Sequence, residues 1–265
     1  MKNIYIPFLL SVSFFLFFSC KKNDPPQDLS FLLGENYYPL NVGKYIVYEL
    51  DTITWFTPLG TNCIFQTDTC HSFLKEEIIG IDVDDEGNTN FILERYVRDD
   101  WNEDWQIKDV WNISKSDGTI ERVEENLRFI KMVFPVDDGL RWEGNAFIDP
   151  NISNSFNGNS IKTYEFWDND YFYSDVDQAE QIGNLTFDSI ATIIQSDNEN
   201  TQLFNYRYSV EKYARDIGLV YKEMRILDHN CCAFHPDTLQ PCHDLPWEEK
   251  AERGFKLVQK VLEYN

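Results

Sequence analysis

The chain has 265 residues, of which 43% are hydrophobic and 15% aromatic, and its formal net charge is −22. That apolar and aromatic share is ample for a packed core and argues against disorder. The acidic excess excludes a binder of nucleic-acid backbone and a protein that adheres to anionic lipid headgroups by charge, because both would repel it.

The chain opens with a basic start, Met1-Lys2, and an apolar run from Ile4 to Phe18 broken once by Pro7. The run stops at Ser19-Cys20, and Lys21-Lys22-Asn23-Asp24 is polar. It is too short to span a bilayer comfortably and reads as a secretory signal. A small residue followed by Cys at the end of such a run is the cleavage context of bacterial lipoproteins, although Phe17 and Phe18 stand where the common pattern has Leu and a small residue. Lipid would then be attached to Cys20. Each buried methylene contributes roughly 0.8 kcal/mol, and stable anchoring needs more than one acyl chain, which a triacylated cysteine provides.

The expected organisation is a signal peptide over 1–19, a lipidated polar tether over 20–34 containing Asp24-Pro25-Pro26-Gln27-Asp28, and a β-rich globular domain over 35–265. The expected address is the bacterial envelope, with the outer membrane preferred and its periplasmic or surface face open. The expected partners are the membrane, through the lipid on Cys20, and a protein or glycan; nucleic acid is excluded.

Beyond Tyr37 the pattern is mostly strand. Lys44–Leu50 is β-branched and aromatic, and Asp51–Trp55 continues it. Ile78–Val83 and Asn90–Val97 form a hairpin across a glycine-containing turn at Asp84–Asn88. Gln106–Ile113 and Thr119–Val123 flank Ser116-Asp117-Gly118, and Leu127–Phe134 alternates until Pro135. Ile161–Trp167, Phe187–Gln195, Leu203–Val210, Gly218–Leu227 and Phe255–Tyr264 complete the strands. Asp175–Gln181 reads as a turn or two of helix, and Tyr208–Arg215 is ambiguous. Trp247–Arg253 reads as a short helix, with Pro246 at its start and Gly254 past its end. About ten short strands predict a mainly β fold: a single antiparallel β-rich domain (curved sheet, sandwich or open barrel) with one or two short helices.

Tyr37-Tyr38-Pro39-Leu40-Asn41-Val42-Gly43-Lys44-Tyr45 resembles the opening of uncharacterised cell-envelope lipoproteins from Bacteroidota-type bacteria, and Gly218-Leu219-Val220-Tyr221-Lys222-Glu223 is similar to a late segment of the same proteins. The resemblance extends to the signal peptide ending Phe18-Ser19-Cys20. It implies export and a β fold, and carries no activity.

Six cysteines are present; lipidation uses Cys20 and leaves Cys63, Cys70, Cys231, Cys232 and Cys242. An oxidising compartment makes disulfides the default. Cys63 and Cys70 bracket a short loop, and Cys242 could pair with Cys231 or Cys232, which as neighbours rarely bond each other. An odd thiol is left over. The histidines lie near cysteines: His71 follows Cys70, His229 and His235 flank Cys231-Cys232, and His243 follows Cys242. Cys and His together suit zinc or copper, so a metal site built from the two loops is the alternative to disulfide staples. No CxxC pair supports it, and staples are preferred. A thiol nucleophile activated by His235 or His243 ranks below both.

Asp82-x-Asp84-x-Glu86-Gly87 imitates the start of a calcium loop, but the twelfth position is Leu93, so it reads as a hairpin turn. Asp168-Asn169-Asp170 and Asp175-Val176-Asp177 read as solvated turns. Trp101, Trp105 and Trp111 lie among Asp99, Asp100, Glu103 and Asp104, a composition that suits a carbohydrate surface, but their odd-numbered spacing partly suits one face of a strand, so a half-buried core face is preferred. There is no nucleophile elbow, HExxH, P-loop or dinucleotide motif. No cofactor is expected, and catalysis is left open with the balance against it. Three readings follow: a non-catalytic binding or scaffold lipoprotein, a Cys/His metal protein, and a carbohydrate-binding or carbohydrate-processing lipoprotein.

Overall fold

β-branched and aromatic residues dominate the segments between turn signals, and in the computed structural model these segments form strands. The structure describes residues 30–265 other than 61–64, 84–86, 88, 117, 157, 169, 200–202 and 230–243. The strands are β1 (Tyr45–Phe56), β2 (Gln66–Val83), β3 (Thr89–Arg98), β4 (Gln106–Lys115), β5 (Thr119–Glu124), β6 (Leu127–Val133), β7 (Arg141–Trp142), β8 (Ser153–Phe156), β9 (Asn159–Lys162), β10 (Tyr171–Ile182), β11 (Leu185–Asp197), β12 (Asn205–Ala214), β13 (Gly218–Asp228) and β14 (Arg253–Tyr264). The helices are single turns, α1 (Ser30–Leu33) and α2 (Trp247–Lys250), with a 3-10 turn at Glu35–Tyr37. Among the described residues no helix is long and apolar enough to cross a membrane.

One antiparallel sheet holds 12 strands in the order β6-β5-β4-β3-β2-β1-β14-β13-β12-β11-β10-β7, and β8–β9 is a separate hairpin. The first and last strands of the chain therefore pair at the centre, from Ile46 opposite Tyr264 to Trp55 opposite Gly254. Two meanders grow outward from this pair. Their far ends then approach each other. Ile130 on β6 donates its N–H to the Gly144 carbonyl (2.9 Å), and Trp142 Nε1 donates to the Ile130 carbonyl (2.8 Å). The sheet is thus a nearly closed barrel, as the mainly β reading expects.

Burial alternates with a period of two along β5 and along the second half of β2. On β2, Ser72, Leu74, Glu76 and Ile78 are buried, while His71, Phe73, Lys75 and Glu77 face outward. The buried row carries charge as well as hydrocarbon. Glu76 pairs with Arg95 (2.9 Å), and Arg95 with Asp109 (2.9 Å). Arg122 pairs with Glu124 (2.6 Å), Lys131 with Glu124 (3.3 Å) and Glu211 (2.6 Å), and Lys222 with Glu211 (3.2 Å). Tyr213 donates its hydroxyl to Glu211 (2.7 Å). Burial pushes the Glu211 carboxyl up, but Lys131 and Lys222 outweigh it and hold the group at about 2. Burial also opposes the Glu124 charge; Arg122, Lys131 and Lys222 outweigh it and hold Glu124 well below the usual carboxylate range.

The segment before β1 is tied to the barrel. The Leu33 carbonyl accepts from Val136 N–H (2.9 Å), and Tyr37 donates its hydroxyl to Asp177 (2.7 Å). Asp177 also accepts from Ser189 (2.6 Å) and Arg215 (2.5 Å), and these bonds hold its carboxyl at about 2.

Several local expectations change. Asp175–Gln181 is part of strand β10 rather than helix, and its pairing with β11 is interrupted at Tyr173/Asp175, Asp175/Gln178 and Gln178/Glu180. Those irregularities break the two-residue period on which strand recognition depends. Asp177 accordingly sits in a bulged strand and not in a solvated turn. Tyr208–Arg215, ambiguous in sequence, is strand through Ala214. The strand expected over Ile161–Trp167 ends at Lys162, and Phe166 adopts a left-handed φ of 65°. Gly254 does not cap the helix, because α2 ends at Lys250 and Ala251 is already extended. Its role is close approach: φ is 130°, and a Cβ there would lie 1.9 Å from the Ile226 carbonyl oxygen. Finally, β2 begins at Gln66, so Cys70 and His71 lie in a strand and not in a loop.

Candidate functional site

The outward row of β1–β3 gathers the chemistry-bearing side chains. Register places Asp51 opposite His71 and Glu49 opposite Phe73 on β1 and β2. It places Phe73 opposite Arg98 and Lys75 opposite Tyr96 on β2 and β3. Opposite residues of an antiparallel pair share a face, so these side chains stand side by side on the barrel wall.

The aromatic part is continuous. His71 meets Phe73 edge-on at 5.2 Å between ring centroids, and Phe73 meets Trp101 in the same manner at 5.2 Å. The Arg98 guanidinium lies 4.2 Å from the Trp101 ring and 4.1 Å from the Trp105 ring. Both tryptophans belong to the turn between β3 and β4, which its acidic residues shape. Asp100 accepts from the backbone N–H of Asn102 (2.9 Å) and from its amide (2.9 Å), and Asp99 N–H donates to Glu103 (3.3 Å). These bonds keep the Asp100 carboxyl below its ordinary range. The acids beside the tryptophans thus build the turn. Trp101 remains 45% exposed.

Trp111 does not join this surface. It is 7% exposed, sits in the barrel core, and carries the Arg95 guanidinium 3.6 Å above its ring. A register shift at Arg95/Tyr96 separates its row from that of the turn, so the odd-numbered spacing of the three tryptophans does not translate into one face.

The polar part is at the other end. His71 Nδ1 and Asp51 Oδ1 are 2.8 Å apart. Phe73, Lys75, Tyr96, Glu49 and Asp51 had no signal of their own in the sequence; strand parity applied to β2 as far as Gln66 would have grouped them.

The cysteine and histidine loops are only partly in view. Cys70 is exposed on β2 and takes part in no disulfide. Cys20, Cys63, Cys231, Cys232, Cys242, His235 and His243 lie outside the described residues. His229 is buried at the end of β13, with Nδ1 3.2 Å from Glu252 Oε1. The strand ends that carry the two loops do meet, since Trp55 faces Gly254 and the Trp55 indole donates to the Glu248 carbonyl (3.2 Å). His71 and His229 are nevertheless not brought together. His71 belongs to the transverse row Asp51–Val258–Glu223, and His229 lies about 20 Å farther along β13 at the usual rise per residue. Asp82 accepts from the Val83 N–H (3.0 Å), while Asp84 and Glu86 lie outside the described residues.

The barrel interior offers little room. A cavity of about 50 Å³ is lined by Lys44, Tyr45, Glu76, Ile113, Arg122 and Leu219 among others. That volume holds a few waters, well short of the ~300 Å³ at which ligand pockets begin. The carboxylates beyond it, Glu124 and Glu211, are ionised and paired. A general acid or base works best with a pKa near the operating pH, and these two lie far below it.

With the geometry in hand, comparison with known proteins adds little. No protein-family model matches this chain, and no curated protein matches it. Among solved structures, a Bacteroides fragilis protein described as exported and as having a YmcC-like fold overlaps 85% of this chain and 98% of its own, at 10% identity and a TM-score of 0.37. A Parabacteroides distasonis protein described as a lipoprotein overlaps 86% of this chain and 98% of its own, at 9% identity and a TM-score of 0.34. Overlaps this loose carry no argument about role.

Proposed function

We propose that this chain is a lipid-anchored protein of the bacterial envelope, held by Cys20, whose β domain is a non-catalytic binding or scaffold module. The observation that carries the reading is a contrast between the two faces of the sheet. Inside, every carboxylate of the Glu76, Glu124 and Glu211 set is matched by Arg95, Arg122, Lys131 or Lys222, and the free volume is small. Outside, Phe73, Trp101, Trp105 and Arg98 form a stacked shelf with an exposed edge. Recognition then belongs to the outer wall, and the interior holds the wall rigid.

The exposed Trp101 favours a carbohydrate as ligand in a second reading. Sugar ring faces stack on indole, the Asp51 and Glu49 carboxylates would accept from hydroxyls, and the His71 ring would accept or donate. Disulfide staples in the exported chain would come from Cys63, Cys231, Cys232 and Cys242, with Cys70 free, and the outer membrane is the destination.

Two experiments test this. Cys20→Ala in the full chain should move the protein from the membrane fraction to the soluble fraction; retention in the membrane overturns the anchor. A glycan array probed with the full chain in detergent, beside Trp101→Ala, tests the ligand class. Binding lost in the variant supports the sugar reading, and no binding by the wild type removes it.

A further inference from the structure

We propose that Glu49, Asp51 and His71 form a binding site for a first-row divalent cation of borderline character, zinc or copper(II), on the outer wall of the barrel. One ligand atom from each side chain lies within 4.8 Å of the other two. The site does not depend on the lipid anchor, uses the three side chains that the carbohydrate reading gives to hydroxyls, and differs from a site built of cysteine and histidine loops.

The argument begins with strand parity. Glu49 and Asp51 are two apart on β1 and so share a face. His71 is directly opposite Asp51 on β2, and Phe73 directly opposite Glu49. Three donors therefore project from two hydrogen-bonded strands in the middle of the sheet, with β14 continuing the ladder behind Asp51 at Val258 and behind Glu49 at Lys260. Their backbone positions are fixed before any cation arrives.

The spacing suits a cation. Zinc binds imidazole nitrogen and carboxylate oxygen at about 2.0–2.2 Å, which puts neighbouring ligand atoms of a tetrahedral shell roughly 3.4 Å apart. His71 Nδ1 and Asp51 Oδ1 are already 2.8 Å apart. A cation between them replaces the proton they share; the neutral imidazole then carries its proton on Nε2, and no redox change is involved. Glu49 is half-buried and forms no hydrogen bond or ion pair among the described residues. Its carboxylate, already within 4.8 Å of the other two ligand atoms, is available as the third ligand.

The donor set selects among metals. One imidazole with two carboxylates disfavours calcium and magnesium, which take oxygen ligands, and the absence of a thiolate from the triad disfavours copper(I). Cys70 is adjacent in sequence to His71 but alternates to the other side of β2, opposite Thr52. The edge-on contact of Phe73 with His71 restricts the imidazole, and Trp101 lies one ring beyond. Water completes the shell, since the Asp51 and His71 side chains are 45% and 48% exposed.

The test titrates the purified full chain with zinc chloride and with copper(II) chloride by calorimetry, and follows tryptophan fluorescence during the copper titration. His71→Gln and Glu49→Gln keep size and exposure and should leave the metal-free unfolding midpoint unchanged. Each is expected to weaken one site by on the order of tenfold or more and to reduce copper quenching, as removal of a ligand does. Cys70→Ser is expected to bind as the wild type does. Wild-type affinity in His71→Gln overturns the proposal. Loss of binding in Cys70→Ser with retention in Glu49→Gln also overturns it, by placing the metal at the thiol.

Discussion

Lys131 on β6 and Glu211 on β12 meet inside the barrel at 2.6 Å, although they belong to opposite halves of the sheet. The pair joins the meander that precedes β7 to the one that ends at β14. Neither side chain is open to solvent, with 3% and 0% of its surface exposed. Removing one partner of a buried ion pair leaves the other charged and unsolvated, which costs about 3–5 kcal/mol. Lys131→Met should fall at the lower end, about 3 kcal/mol, because Lys222 still faces Glu211 at 3.2 Å. Urea unfolding of the full chain measures it. Lys131→Met with Glu211→Gln should cost less than the sum of the two single changes, since neutralising both removes the stranded charge. Simple additivity would show that the pair does not couple the halves.

The same network sets the acid limit. Glu211 titrates at about 2 in the folded chain, and Glu124 is also held low. An unfolded glutamate titrates near 4.3. A folded value below the unfolded one means that the stability is fully present above about pH 4.3 and is lost as pH falls toward 2. Unfolding midpoints should therefore be level from neutral pH down to about 5 and fall steeply below that. Glu211→Gln should start lower and show a shallower fall. An unchanged slope in the variant would remove Glu211 from the account.

Gly254 offers a cleaner backbone test. Its φ is 130°, and an added Cβ would come within 1.9 Å of the Ile226 carbonyl oxygen, which belongs to the neighbouring strand and cannot yield alone. Gly43 also has a positive φ, 87°, but nothing lies within 4 Å of the position its Cβ would take. Gly43→Ala should cost about 1 kcal/mol, the backbone strain alone. Gly254→Ala should cost at least about 2 kcal/mol more, because β13 and β14 must separate. Equal melting temperatures for the two variants would contradict the close approach.

Strands rich in apolar and β-branched residues were legible: β6 from Leu127 and β13 from Gly218 end within a residue or so of their expected limits. The first half of β2 was not. From Gln66 to His71 it is exposed on both faces, so there is no apolar alternation to detect, and its pairing with β1 alone makes it strand. That one omission placed Cys70 and His71 in a loop and obscured the Glu49–Asp51–His71 grouping. The interior charges were hidden for a related reason. Glu76, Arg122, Lys131 and Glu211 sit on inward rows where a polar residue reads as outward, and their partners come from strands far apart in sequence. Of Trp101, Trp105 and Trp111, Trp111 alone joins the core, at 7% exposed, while Trp101 stays outside at 45%.

The shelf itself can be tested through its light emission. Trp55, Trp111, Trp142, Trp167 and Trp247 are all at most 8% exposed, whereas Trp101 is 45% exposed and Trp105 is half-buried. Long-wavelength emission and collisional quenching by acrylamide should therefore report mainly on Trp101 and Trp105. Arg98 holds both rings, and among the described residues its guanidinium makes one further polar contact, a long one to the Glu103 carbonyl (3.4 Å). A cation over an aromatic ring at a partly exposed site contributes about 0.5–1 kcal/mol, so two such contacts make Arg98→Ala cost about 1–2 kcal/mol. The more specific consequence is optical. With Arg98 gone, both indoles lose a covered face, and emission should shift to the red while acrylamide quenching rises. Arg98→Lys should behave nearly as Arg98→Ala does, because an ammonium cannot lie flat between two rings as a planar guanidinium does. Full retention of the wild-type spectrum in Arg98→Lys would mean that charge, and not planar stacking, holds the shelf.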